Sequence, residues 1–245
     1  MSNFFDNLSD STQLEQQTDS LGSSRYVFPS DIYNAVIKQA YLTQAKSGAR
    51  ALTVILGIQD KEYSETIYFT NREGKNSYTK DGKTYGLPGF NLLNAISFLC
   101  CGKEFKQAGK DSCEEKVVNI YNFDMKKEVP TSVPVIMDWI GKPIAVALID
   151  QLVNKQEKNG QGEYRAVDET REENRISAVF SPETHKTYTE TKNNTEAKFC
   201  HEWLKKYKTG EPYNRVKKTG IAPSSDNNPS EPKKVDKVDE SSLFS

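Results

Sequence analysis

Apolar and polar positions along the chain fall into three blocks. Between Tyr33 and Phe69 the pattern is that of strands. Tyr33–Leu42 is long and rich in β-formers, Ala51–Ile58 is almost continuously apolar, and Tyr63–Phe69 alternates. Ser47-Gly48-Ala49 and Gln59-Asp60-Lys61 separate them with connections of hairpin length, which predicts a three-stranded meander. A polar loop is predicted from Thr70 to Gly86. The period then changes: Leu92, Leu93, Ile96, Leu99 and Cys100 share one helical face, with Pro88 suited to the first turn and Gly102 to the stop. Further strands are predicted around Lys116–Phe123, Ile144–Val153 and Arg175–Phe180, with Pro130 and Pro134 breaking the chain between the first two. A closing helix is predicted over Thr195–Lys208. Its Asn193 and Glu196 resemble a capping box, and Ala197, Cys200, Leu204 and Tyr207 share a face beside Trp203.

Three strands, a helix and more strands is the order of an OB-fold. The expected class is mainly β with a few helices: an OB-fold-like Greek-key β-barrel with insertions, centred on residues 124–192, and a C-terminal helix. The folded unit is expected to span residues 25–208. Residues 1–24 read as a flexible acidic arm, with four acids, no Lys or Arg, and a short apolar pair at Phe4-Phe5. Residues 209–245 are polar and rich in Pro, Ser, Asn and Lys, too poor in apolar surface to fold alone. That tail ends in Asp239 and Glu240 followed by Leu243 and Phe244, the build of a peptide hook for a pocket with a basic rim.

Composition narrows the class. Of 245 residues, 36% are hydrophobic and 27% charged, and the net charge is −1. Removing the acidic arm and the neutral tail leaves a mildly basic body, suited to a polyanion. A signal leader and an apolar run of spanning length are both missing, so no membrane partner and a cytoplasmic location are expected. Cys100, Cys101, Cys113 and Cys200 are then expected as free thiols.

Catalytic chemistry finds little support. No Cys-x-x-Cys occurs, and neither His185 nor His201 joins a ligand set of useful spacing, so no metal is expected. Asp168, Glu169, Glu172 and Glu173 read as a solvated charge run, with a Mg²⁺-dependent nuclease as the alternative. No Walker-type phosphate loop and no nucleophile–His–acid set is present. The chain is therefore expected to be neither enzyme nor cofactor carrier.

Basic and aromatic residues interleave from Tyr68 to Gly86. Arg72, Lys75, Lys80 and Lys83 alternate with Tyr68, Tyr78 and Tyr85. Cations can track phosphates while rings stack on bases, a mode that tolerates any sequence. Lys38 and Tyr41 on the first strand, and Lys46 and Arg50 at the next turn, extend the same candidate groove, and Lys155 is a weaker addition.

These residues also carry a resemblance. Tyr68…Thr70-Asn71-Arg72…Gly74…Asn76…Tyr78, then Leu87-Pro88-Gly89-Phe90, are followed by Glu115-Lys116-Val117-Val118-Asn119-Ile120-Tyr121…Phe123-Asp124…Lys127-Glu128-Val129-Pro130-Thr131 and Val153-Asn154-Lys155-Gln156. Together they resemble the single-stranded DNA-binding proteins of tailed bacteriophages, over residues 25–208. The resemblance implies an OB-fold that binds single-stranded DNA without strong sequence preference and without a cofactor. It further implies action in viral replication, recombination and repair, in the cytoplasm of the infected bacterial host. The C-terminal tip would contact replication or recombination proteins, although its charge is modest and Ser245 follows Phe244. A single-strand annealing protein, and a protein-interaction module on a barrel scaffold, are the alternative readings.

Overall fold

One long strand, shared by three neighbours, organises the chain in a computed structural model that describes residues 26–122, 125–160 and 164–218. β1 (Asp31–Gln44) pairs antiparallel with β2 (Arg50–Ile58), and β2 pairs with β3 (Lys61–Tyr68), giving the expected meander. A hairpin comes next, β4 (Ser77–Lys80) with β5 (Lys83–Gly86), then helices α1 (Pro88–Cys101) and α2 (Phe105–Ser112). After them come the paired strands β6 (Cys113–Asn122) and β7 (Lys127–Ile136), a 3-10 turn at Met137–Trp139, and the long pair β8 (Pro143–Lys158) and β9 (Tyr164–Phe180). Short α3 (Tyr188–Lys192), α4 (Phe199–Tyr207) and a two-residue β10 (Tyr213–Asn214) complete the order.

On the edge away from β2, β1 serves two partners in turn. Its first half pairs with β8, from Asp31 opposite Leu148 to Val36 opposite Pro143, and Tyr41 then faces Val135 of β7. The register against β2 slips between Ile37 and Gln39, so Lys38 sits on a bulge where the strand changes neighbours. An extra residue bends a strand and sharpens its twist, and such a bend lets β1 meet two partners that diverge.

Three apolar clusters hold the sheet. The main one packs α1 through Leu93 and Ile96 against Ile37, Leu52, Val54, Leu56 and Ile58, with Phe105 and Trp139 beside them. As predicted, α1 begins at Pro88 and ends at Gly102, which adopts φ +71 and returns its N–H to the Phe98 carbonyl. A second cluster lies on β8 and β9, where Cys200 and Trp203 of α4 cover Ala145, Ala147 and Phe180. The third packs β6 and β7 onto β1 through Tyr41, Val118, Val133 and Val135.

The outer edges of β3 and β9 approach, yet no ladder closes them among the described residues. Side chains span the gap instead. The Ile176 N–H donates to Glu65 Oε2 at 2.7 Å, and the Tyr63 hydroxyl lies 2.7 Å from the same oxygen and 3.1 Å from the Asn174 carbonyl. Asn174 in turn accepts from the Phe28 N–H and donates to its carbonyl, both at 2.7 Å. The fold is mainly β with four α-helices around a large, open antiparallel sheet.

Three expectations are corrected. Pro130 and Pro134 do not break the chain: both lie within β7, opposite Asn119 and Glu115 in ten uninterrupted pairs. They are four residues apart, so both point their missing N–H to the same edge of β7, which β1 meets only at Val135. The last helix starts at Phe199 rather than near Thr195, and the capping box belongs to α3, where Thr187 and Glu190 satisfy each other. Glu190 also accepts the Lys198 and Phe199 N–H groups at 2.9 and 2.8 Å, so one carboxylate caps two helices. Finally, the ordered chain does not stop at Lys208. Tyr213 and Asn214 pair in parallel with Gln151 and Leu152 of β8, on the edge that β1 has left. Asn154 then accepts from the Lys217 N–H at 2.7 Å and donates to its carbonyl at 3.0 Å. The acidic arm and the tail beyond residue 218 lie outside the described residues, as does the 123–124 portion of the resemblance.

Burial pushes the Glu65 carboxyl above the usual carboxylate range, against the pull of the Ile176 N–H and the Tyr63 hydroxyl. A carboxyl raised in the folded state contributes stability at low pH that is lost as pH rises through the raised value. The melting temperature of Glu65→Gln, minus that of wild type, is therefore expected to increase from pH 4 to pH 7. A difference that shrinks over this window, measured by differential scanning fluorimetry, would contradict a raised carboxyl.

Candidate nucleic-acid interface

At the C-terminal end of β1 two loops meet. The β1–β2 turn carries Lys46 and leads to Arg50, and the segment after β3 carries Arg72 and Lys75. Their contact is main-chain to main-chain. Gly48 has φ +91, and a Cβ there would come within 2.8 Å of the Arg72 carbonyl oxygen, so only glycine allows the two loops to close up. Arg50 is held on both sides: it faces Gln44 across the turn, donates its N–H to Thr70 Oγ1 at 2.8 Å, and accepts from the Phe69 N–H at 3.0 Å.

Loop 70–76 is shaped by Asn71. Its side-chain oxygen accepts from the N–H groups of Glu73 and Lys75 at 3.0 and 2.9 Å, an Asx turn that leaves the long side chains facing water. The loop feeds the β4–β5 hairpin, closed at its base by Leu87 N–H to the Asn76 carbonyl. At the tip Asp81 and Gly82 have φ +51 and +70, so Lys80 and Lys83 face each other across a two-residue turn. Tyr78 and Tyr85 are direct cross-strand partners, stacked at 5.7 Å and 28°. They form one stacked pair rather than two independent platforms. Tyr68 is 55% exposed beside them in sequence, and its carbonyl oxygen is touched by Gly89, where a Cβ would overlap it.

Apart from Lys75, the cations of these loops and of the hairpin gather without ion pairs. Lys46, Arg50, Arg72, Lys80 and Lys83 are exposed, and none makes an ion pair among the described residues. Lys75 is bound to Glu73 at 2.8 Å, which raises its ammonium and lowers the Glu73 carboxyl. Elsewhere the surface is mixed: Lys103, Lys116, Arg171, Lys192 and Lys208 have carboxylate partners, while exposed Lys106, Lys110, Lys127, Lys142 and Lys205 make no ion pair among the described residues.

Three predicted contacts do not join this group. Tyr41 is only 8% exposed, wedged among Val118, Val133 and Val135, because β6 and β7 fold over the face that its strand position makes available. It is a core residue, not a stacking platform. Lys38 lies at the bulge, its stem running along Gly57. Lys155 is ion-paired to Glu169 at 2.7 Å on the β8–β9 ribbon, beyond the opposite end of β1. The tip residues Asp239, Glu240, Leu243 and Phe244 lie outside the described residues.

The structure also assembles a feature that the sequence did not suggest. β7 runs antiparallel to β1 from Val135 and continues past Gln44, so the β6–β7 hairpin stands beside these two loops. Between them is a cleft of about 320 Å³, lined by Leu42, Thr43, Gln44, Arg50, Phe69 and Pro134. The outer face of the hairpin shows Val117, 71% exposed, and Tyr121. Strand alternation places both on the face opposite Val118, the one signal that could have singled them out.

Metal and nucleophile chemistry gains nothing here. Among the described residues no group of three or more His, Cys, Asp or Glu side chains is placed to hold an ion. Burial, followed by the neighbouring Cys101 thiol, pushes the Cys100 thiol well above its ordinary range. No helix of the described residues is long and apolar enough to cross a membrane. Compared with known proteins, the chain matches no family model and no curated protein.

Gly48 and Gly74 both have positive φ, but only Gly48 has a neighbour that a methyl group would strike. Gly48→Ala is expected to cost about 1 kcal/mol more in urea denaturation than Gly74→Ala, because strain is common to both and the clash is not. Equal losses would show that the two loops are not in contact.

Proposed function

We propose that this chain binds single-stranded DNA without sequence preference, in viral DNA replication, recombination and repair. One observation carries the reading. Five cations without carboxylate partners, Lys46, Arg50, Arg72, Lys80 and Lys83, lie on loops joined through Gly48 and on the hairpin after them. The Tyr78–Tyr85 stack lies on that same hairpin. Surface lysines and arginines left unpaired among abundant acids fit a ligand that supplies the anions, and a polyphosphate backbone does so at regular intervals. The stacked pair and exposed Tyr68 offer ring faces, which suits unpaired bases rather than a duplex whose bases are already stacked.

The order of elements supports the same reading. A meander, a helix, and a further strand returning to β1 is the OB-fold order, with the Glu65–Ile176 bridge in place of a closing ladder between β3 and β9. Under this reading the β4–β5 and β6–β7 hairpins are the insertions, and the chain works without cofactor or catalysis in the host cytoplasm. Its terminal Asp239, Glu240, Leu243 and Phe244 recruit replication or recombination proteins.

Titration of fluorescent oligo-dT tests the function directly. About five neutralised phosphates give a salt slope near −3.5, so affinity is expected to fall about a hundredfold between 50 and 200 mM salt. Absence of binding at the lower salt, or binding indifferent to salt, would sink the proposal. Tyr78→Ala/Tyr85→Ala removes the stacked pair and is expected to lose the stacking of at least one base, about 1–3 kcal/mol. Unchanged affinity in that double variant would remove the hairpin from the interface.

A further inference from the structure

We propose that the cleft between the end of β1 and β7 is a nucleobase pocket, into which one base of a bound single strand turns while its phosphate stays with Arg50. The inference rests on the single-strand reading and goes beyond it, since the sequence pattern pointed to no pocket.

The lining states the chemistry of the occupant. Leu42, Phe69 and Pro134 supply apolar walls from three different elements, and Arg50 stands among them with no carboxylate partner among the described residues. An apolar slot beside an unpaired guanidinium fits a ligand with a flat, weakly polar body joined to an anion, which describes a nucleotide within a strand. At about 320 Å³ the cleft is at the small end of ligand pockets, sized for one such body rather than for a dinucleotide or an extended cofactor. The polar lining is limited to Thr43 and Gln44 besides Arg50. Of these, the Gln44 amide already donates to the Gly48 carbonyl at 3.1 Å.

The support around the slot is firm. Phe69 is packed edge-on against Phe105 at 5.1 Å, which ties that wall to the main core. The Arg50 backbone is fixed by Gln44 on one side and by Phe69 and Thr70 on the other, so its guanidinium leaves from a defined point at the mouth. Pro134 closes the far side on β7, whose neighbour Val135 is paired to Tyr41. Lys46 and Arg72 lie on the two loops that meet at Gly48, beside the turn that leads into Arg50. A strand held by these cations on its phosphates passes the mouth of the slot, and the slot then removes one base from water.

The test compares two ligands of equal charge: oligo-dT, and a strand of the same length built from abasic sites. Thr43→Trp fills the slot without altering a charge. It is expected to weaken oligo-dT binding by about fivefold or more, on the scale of one lost stacking contact, and to leave the abasic strand unchanged. Gln44→Trp, at an exposed position on the same mouth, provides a second filling variant if Thr43→Trp unfolds. Equal effects on both strands, or none on either, would overturn the pocket while leaving single-strand binding intact. Failure of wild type to bind oligo-dT at low salt would instead defeat the underlying reading. A synthetic Asp-Glu-Ser-Ser-Leu-Phe-Ser peptide is the control occupant. If Thr43→Trp abolishes peptide binding and spares oligo-dT, the slot belongs to the acidic-apolar terminus and the base assignment is wrong.

Discussion

Everything in this fold is arranged around the two edges of β1. A strand has only two edges, and here β2 takes one from Val36 to Gln44. The other must hold β8 at its start and β7 near its end, and a straight strand cannot track two partners that diverge. The bulge at Lys38 resolves the conflict by bending the strand between them. Once bent, β1 fixes the directions of both partners. β8 and β9 are carried past its beginning as a ribbon, and β6 and β7 past its end as a hairpin. The loop cluster at Arg50 and the cleft beside Pro134 exist because that second hairpin continues beyond the turn that ends β1.

Closure of the sheet is a separate problem with a separate solution. β3 and β9 do not pair, so their edge groups need other partners. Glu65 accepts what a neighbouring carbonyl would have accepted from Ile176, and Tyr63 reaches the Asn174 carbonyl. A buried carboxylate is a costly substitute for a peptide carbonyl, and its desolvation is visible in the upward push on Glu65. Asn174 extends the same device to Phe28, fixing the start of the described chain to the last long strand.

Legibility from residues alone tracked the strength of burial. β1, β2, β3 and α1 each bury a continuous stripe, and their periods announce them. The outer half of the β8–β9 ribbon buries almost nothing, so charge on both faces of residues 164–173 hid a strand that only main-chain pairing with β8 defines. The prolines of β7 misled because proline is judged against a two-sided strand, whereas β7 is paired on one side for most of its length. Lys80-Asp81-Gly82-Lys83, flanked by Tyr78 and Tyr85, is a two-residue hairpin signal that the surrounding polar residues obscured. In the same way Thr187-Tyr188-Thr189-Glu190 spells a capping box, which Asn193 and Glu196 only imitate. For the candidate site, the basic and aromatic residue types were legible but their grouping was not. Tyr41 has the composition of a contact and the environment of a core, and nothing local to it distinguishes the two. The opposition of Arg50 and Pro134 depends on a hairpin more than 60 residues further along the chain, beyond the reach of any local pattern.

The parallel docking of Tyr213 and Asn214 on β8, locked by Asn154, gives the chain a direction as well as a fold. Helix α4 does not simply release the residues after it. They are led outward along the ribbon, away from the end of β1 where the unpaired cations gather. The last described residues therefore lie on the ribbon, at the pole of β1 opposite the loops that carry Arg50 and Arg72.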